Sequence, residues 1–173
     1  DAHTQVPTHF SVLLAAALLK LGTYGFIRIT LPILPDAAQS WAPVIGLLAV
    51  IGIIYGALCC LAQTDMKRLI AFSSVSHMGF VMLGIATLTP FGINAAVMGM
   101  VAHGLITGML FFLAGSVKER FHTLEIKRLG GLLLQAPHLG WILGFCTMAS
   151  LGLPGLAGFW GEFPAILSAY NPG

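Results

Sequence analysis

Residues Ile93 to Ser116 read INAAVMGMVAHGLITGMLFFLAGS, an apolar run that contains no Asp, Glu, Lys or Arg. A helix needs about 20 such residues to cross a hydrocarbon core of roughly 30 Å, so the run predicts a membrane-spanning helix. Strands of a membrane barrel would instead appear as ~10-residue segments of alternating hydrophobicity, and this run does not alternate. Apolar runs at 10–30, 42–62, 69–88 and 138–170 surround it, separated by short polar or Pro-bearing connections. The expected fold class is therefore all-α, a multi-pass transmembrane helix bundle of about five helices.

Composition agrees. The chain is 57% hydrophobic and 8% charged, against the roughly 25% charged residues of ordinary soluble domains. Residues 1–173 read as a single transmembrane domain. The first residue is Asp1, with no positively charged region ahead of an apolar one, so no signal peptide is expected. Both ends fall abruptly, and the chain is expected to be an internal fragment of a longer subunit.

Charge lies mostly in the connections. Following the chain through alternate crossings puts Lys67, Arg68, Lys118, Arg120, Lys127 and Arg128 on one face, with Arg28 near the other. The positive-inside rule makes the first face cytoplasmic, or its matrix equivalent in an organelle. Thr64 or Asp65 is placed to cap the helix that begins after them. The expected location is a bacterial plasma membrane or an organellar inner membrane.

The fifth run contains Leu151-Gly152-Leu153-Pro154-Gly155 about midway. Proline removes an amide donor and clashes with the preceding turn, which predicts a broken helix. Irregular backbone at membrane depth is tolerated where protein buries it or water reaches it, as at the ion sites of transporters. A simple Pro kink in a packed helix is the alternative.

Once the loops and helix ends are set aside, four titratable residues remain at membrane depth: Lys20, His77, His103 and Glu162. A charge at the centre of a spanning helix costs about 2.5 to 3.5 kcal/mol on insertion scales, so each is a candidate for function. Lys20 is too far from the interface to snorkel easily, and a structural pairing to a neighbouring helix is its alternative. Thr23 and Tyr24 follow it on the same helix surface and are expected to offer hydroxyls for proton relay. Ser73, Ser76 and His77 are expected to form a polar stripe, and Gly99, His103 and Thr107 to share a face. A lone His in a bundle is often a packing residue, but two at similar depth can pass protons through hydrated space. A metal site would need further ligands at suitable spacing. Glu162 has apolar sequence neighbours that favour its neutral form, with a helix-terminal anchor as the alternative reading.

Cys59, Cys60 and Cys146 lack zinc, iron-sulfur or disulfide spacing and read as packing residues. No phosphate loop, nucleophile elbow, CxxC pair or basic nucleic-acid stripe is present. No cofactor, metal or nucleic acid is therefore expected on this chain, whose partners are lipid and protons.

Several stretches together carry a resemblance: Asp1-Ala2-His3, Ser11-Val12-Leu13-Leu14-Ala15 to Leu18-Leu19-Lys20, Ala62-Gln63-Thr64-Asp65-Met66-Lys67-Arg68-Leu69-Ile70-Ala71, Ser73-Ser74-Val75-Ser76-His77-Met78-Gly79, Ala102-His103-Gly104 and Gly161-Glu162-Phe163. The chain resembles the antiporter-like proton-pumping subunits of respiratory complex I, NADH:quinone oxidoreductase. A glutamate rather than a lysine at position 162 resembles the chain M or subunit 4 type. The resemblance implies a piece of a fourteen-helix antiporter-like fold, corresponding to its eighth through twelfth helices. It implies that Lys20 is the central lysine, His77 and His103 the connecting groups and Glu162 the terminal proton-exchange residue. It also implies that a glutamate and a lysine of the channel lie upstream of Asp1. Partners would be the other membrane and peripheral subunits, which would carry FMN, iron-sulfur clusters and quinone. A subunit of a multicomponent sodium/proton antiporter and a membrane arm of a hydrogenase-type complex are the competing readings.

Overall fold

The computed structural model describes residues 7–170, so the Asp1-Ala2-His3 opening lies outside the described residues. Four helices are long and apolar enough to cross a membrane: α1 (Thr8–Ile33), α2 (Pro35–Leu61), α3 (Met66–Ala86) and α4 (Pro90–Phe121). A short α5 (Leu132–Gln135) leads into α6 (Pro137–Ser150) and α7 (Ala157–Tyr170). The chain is a multi-pass, all-helical membrane protein. Where a fifth, broken crossing is expected, α6 and α7 follow in series with residues 151–156 as the break between them. Gly152 and Gly155 adopt positive φ of 68° and 98° there, a backbone region open mainly to glycine.

Helix ends follow local chemistry. Asp65 caps α3, its carboxylate accepting from the backbone N–H of Lys67 at 2.8 Å and of Arg68 at 3.1 Å. Thr89 caps α4 by accepting from Gly92 N–H at 3.0 Å, and Pro90 occupies the first turn, where a missing amide donor costs nothing. The connections before α3 and after α4 are tied together: Met66 N–H donates to Leu124 O at 3.0 Å and Ile126 N–H to Thr64 O at 2.9 Å. The basic residues 67, 68, 118, 120, 127 and 128 are thereby gathered at one end of the bundle.

The helices bury very different shares of themselves. Half of the spanning window of α4 is buried, against 11% of that of α2, so α4 is the central staff and α2 an outer helix. Between helices in lipid the attraction is packing rather than water exclusion, and small residues allow close approach. The crossing of α4 and α7 shows it: a Cβ on Gly161 would meet Gly99 N at 3.0 Å.

Two apolar clusters occupy different depths. One joins Ala15, Ile70, Leu110, Phe111, Leu113, Ala114 and Cys146. The other joins Val81, Ile85, Ala96 and Met100. On α3, His77 falls between Ile70 and Val81, and on α4, His103 falls between Met100 and Leu110. The titratable residues therefore occupy a polar layer between two apolar ones.

α1 is continuous but widened, with π-helical turns at Leu14–Leu18 and Phe26–Thr30. Such turns carry one extra residue and shift the face that follows them. The first of them ends just before Lys20.

Candidate functional site

Lys20 comes from α1, His77 from α3, His103 from α4 and Glu162 from α7. Lys20 Nζ lies 2.8 Å from His103 Nδ1. It also donates to the carbonyl oxygen of Ala15, in the π-helical turn behind it. The other nitrogen of His103, Nε2, lies 3.1 Å from Thr107 Oγ1. The rings of His103 and His77 stand 5.5 Å apart, centroid to centroid, tilted by 54°. His77 Nδ1 lies 2.5 Å from Glu162 Oε1, and His77 Nε2 lies 3.2 Å from Ser150 Oγ. The four residues singled out from the sequence thus form one row, Lys20 to His103 to His77 to Glu162.

Tautomers follow from partners. A protonated Lys20 can only donate, so His103 Nδ1 then accepts, and Nε2–H donates to Thr107. An ionised Glu162 can only accept, so His77 Nδ1–H donates to it, leaving the Nε2 lone pair for the hydroxyl of Ser150. Each of these contacts can carry a proton along its own axis. The two rings are not directly bonded. A cavity of about 20 Å³, lined by both histidines, Thr107, Ser150, Glu162 and Gly99, adjoins them. That is room for about one water with polar partners on several sides. On its other flank, Lys20 borders a groove of about 520 Å³ beside Ala16, Tyr24, Met100, Gly104 and Leu105.

Some expected contacts do not form. Thr23 donates to the backbone oxygen of Lys20 at 3.1 Å, with its Oγ1 2.8 Å from Met100 Sδ, and not to the ammonium. Tyr24 accepts from Arg28 Nε at 3.3 Å. The reason is direction: helical side chains lean toward the N-terminus, so Lys20 reaches Ala15 rather than the turn that follows it. The stripe on α3 also divides. Ser76 donates to Ile53 O of α2 at 3.2 Å, whereas His77, one residue or about 100° further round, faces α6 and α7. The Gly99, His103 and Thr107 face does form, and all three line the cavity.

Glu162 is not enclosed by its apolar sequence neighbours. Trp160 and Phe163 are exposed, on other faces of α7, and the carboxylate turns to His77 with its side chain 25% accessible. Gly152 makes the space, since a Cβ there would lie 2.8 Å from Glu162 Oε2. Ser150 was not singled out from the sequence. Its available signal is position, the last helical residue before the break at membrane depth. Among the described residues no group of three or more His, Cys, Asp or Glu is placed to hold a metal.

Residues 1–172 match the family described as NADH:quinone oxidoreductase/Mrp antiporter, TM. NADH-quinone oxidoreductase subunit M of Rickettsia bellii is 48% identical over 99% of this chain, which covers 35% of that protein. Its Pseudomonas aeruginosa counterpart is 49% identical over 99% of this chain, which covers 34% of it. A chain of respiratory complex I from Thermus thermophilus with bound NADH superposes with a TM-score of 0.90 at 38% identity, across 96% of this chain and 36% of that one. A chain of the archaeal membrane-bound sulfane sulfur reductase gives 0.87 at 25% identity, across 98% and 35%. The sequence therefore spans about a third of the length of these relatives.

Proposed function

Because this chain belongs to the NADH:quinone oxidoreductase/Mrp antiporter transmembrane family, we propose that it is a segment of a membrane-arm subunit of a proton-translocating NADH:quinone oxidoreductase, and that Lys20, His103, His77 and Glu162 carry the protons. The observation behind this reading is the row itself. Residues costly to keep at membrane depth are within hydrogen-bond reach at Lys20–His103, 2.8 Å, and at His77–Glu162, 2.5 Å, with space for about one water beside the rings between them.

In this reading the chain moves protons and holds no redox centre. Flavin, iron-sulfur clusters and quinone belong to partner subunits, and the glutamate and lysine that complete the channel belong to the upstream part of the same subunit. Lys20, bordered by a groove on one side and His103 on the other, is the entry to the row from that part. The names of the similar proteins favour an oxidoreductase subunit over a sodium/proton antiporter subunit.

Lys20→Ala in the intact complex tests the reading. Removing a group that gives and takes protons is expected to lower pumping at least about tenfold, a floor set below the roughly 10²- to 10⁴-fold that a positioned acid–base group contributes. Subunit assembly is expected to persist. Dye quenching in vesicles measures the pumping, and full quenching in an assembled variant would overturn the proposal.

A further inference from the structure

The break in the fifth crossing sets its two halves on opposite edges of one imidazole. Ser150, the last residue of α6, meets His77 Nε2 at 3.2 Å. Glu162, in the second turn of α7, meets Nδ1 at 2.5 Å. A continuous helix could not bring both to the same ring edge pair from this distance in sequence, because residues 12 apart in one helix stand about 18 Å apart along its axis.

Resting on the proton-transfer reading above, we propose that Ser150 is a positioning residue for transfer through His77: its hydroxyl keeps Nδ1–H directed at Glu162 and remains bonded when Nε2 takes up a proton. Other serines of the bundle behave differently. Ser40, Ser74 and Ser116 each donate to the carbonyl four residues back in their own helix, the ordinary resting place of a helical hydroxyl. Ser150 bonds instead to a titratable ring on another helix.

A hydroxyl suits this place because it both donates and accepts. Toward neutral His77 it donates to the Nε2 lone pair. A proton arriving from the cavity binds to that lone pair, and the new Nε2–H donates to Ser150 Oγ once the hydroxyl has rotated. The Nδ1–H bond then breaks, its electron pair staying on nitrogen, and the proton joins Glu162 Oε1. One positive charge has moved from the cavity to the carboxylate, His77 is neutral again with its proton on Nε2, and no electron has been exchanged. A backbone N–H would fit only the first state and a carbonyl only the second.

The test uses the intact complex in vesicles, with pumping per assembled complex measured in H2O and D2O. Ser150→Ala is expected to lower pumping about fivefold, the scale of one lost hydrogen bond, and to raise the solvent isotope ratio about twofold as transfer through His77 becomes limiting. Ser150→Thr, which keeps the hydroxyl, is expected to restore both toward the parent values. Ser150→Cys, close in size but a weak hydrogen-bonding group, is expected to behave as Ala does and carries the test if Ala does not assemble. Normal pumping by Ala, failure of Thr to restore, or a loss with an unchanged isotope ratio would each overturn the assignment. His77→Ala separates the two levels: if it loses pumping while Ser150→Ala does not, only the role of Ser150 fails, and if it too pumps normally the row itself fails.

Discussion

At the scale of single residues, the site turns on which groups can change protonation and which way they point. Glu162 pairs with His77, Oε1 to Nδ1. Its ability to ionise is then the property that matters. Glu162→Gln keeps size and hydrogen bonding but cannot release a proton, and it is expected to lose pumping by at least about tenfold. Glu162→Asp keeps the carboxyl on a shorter stem and is expected to retain a measurable part. Equal, near-normal proton uptake by both variants in assembled complexes would identify Glu162 as an anchor. Lys20, His77, His103 and Glu162 were legible in the sequence because an ionisable group inside an apolar run stands out by its cost. Ser150 was not, because a serine satisfies itself on its own helix at little cost and so leaves no such mark. The hydrogen-bond partners of Thr23 and Tyr24 were not legible for a third reason: spacing along a helix records adjacency but not the lean of a long side chain.

At the scale of elements, the break was legible in Gly152, Pro154 and Gly155, since proline and positive-φ glycine interrupt a helix by their own covalent geometry. The π turns of α1 were not, because an extra residue in a turn changes no composition and depends on what the helix packs against. Gly152 joins the two halves most closely, with φ of 68° and the Glu162 carboxylate where a Cβ would sit. Gly152→Ala is expected to add roughly 1 to 2 kcal/mol of backbone strain and to push Glu162 off His77. Pumping should fall several-fold while the complex still assembles, as judged by native electrophoresis. An Ala variant with parental pumping would show that the carboxylate needs neither this turn nor this space.

At the scale of the molecule, the cross-links between the connections before α3 and after α4 hold the basic residues at one end, the end that the positive-inside rule expects on the cytoplasmic side. Glu119, exposed at that end, offers a direct check. Glu119→Cys in intact cells is expected to resist an impermeant thiol reagent added outside and to react once the membrane is opened; labelling from outside would invert the whole arrangement. The helical type of the crossings and the four long spans were legible from hydropathy alone, whereas the choice of α4 as the central staff was not, because a helix apolar on every side does not announce which side meets protein. One consequence follows from a small feature of the bundle, the cavity of about 20 Å³ beside the histidines. A hydrated sodium or potassium ion is larger than a gap with room for about one water. A proton crosses the same gap as a rearrangement of bonds. If the row carries protons as proposed, the membrane potential, worth about 2.3 kcal/mol per charge for each 100 mV, is held off beside the histidines by close packing, with no wider space there for a hydrated cation to follow.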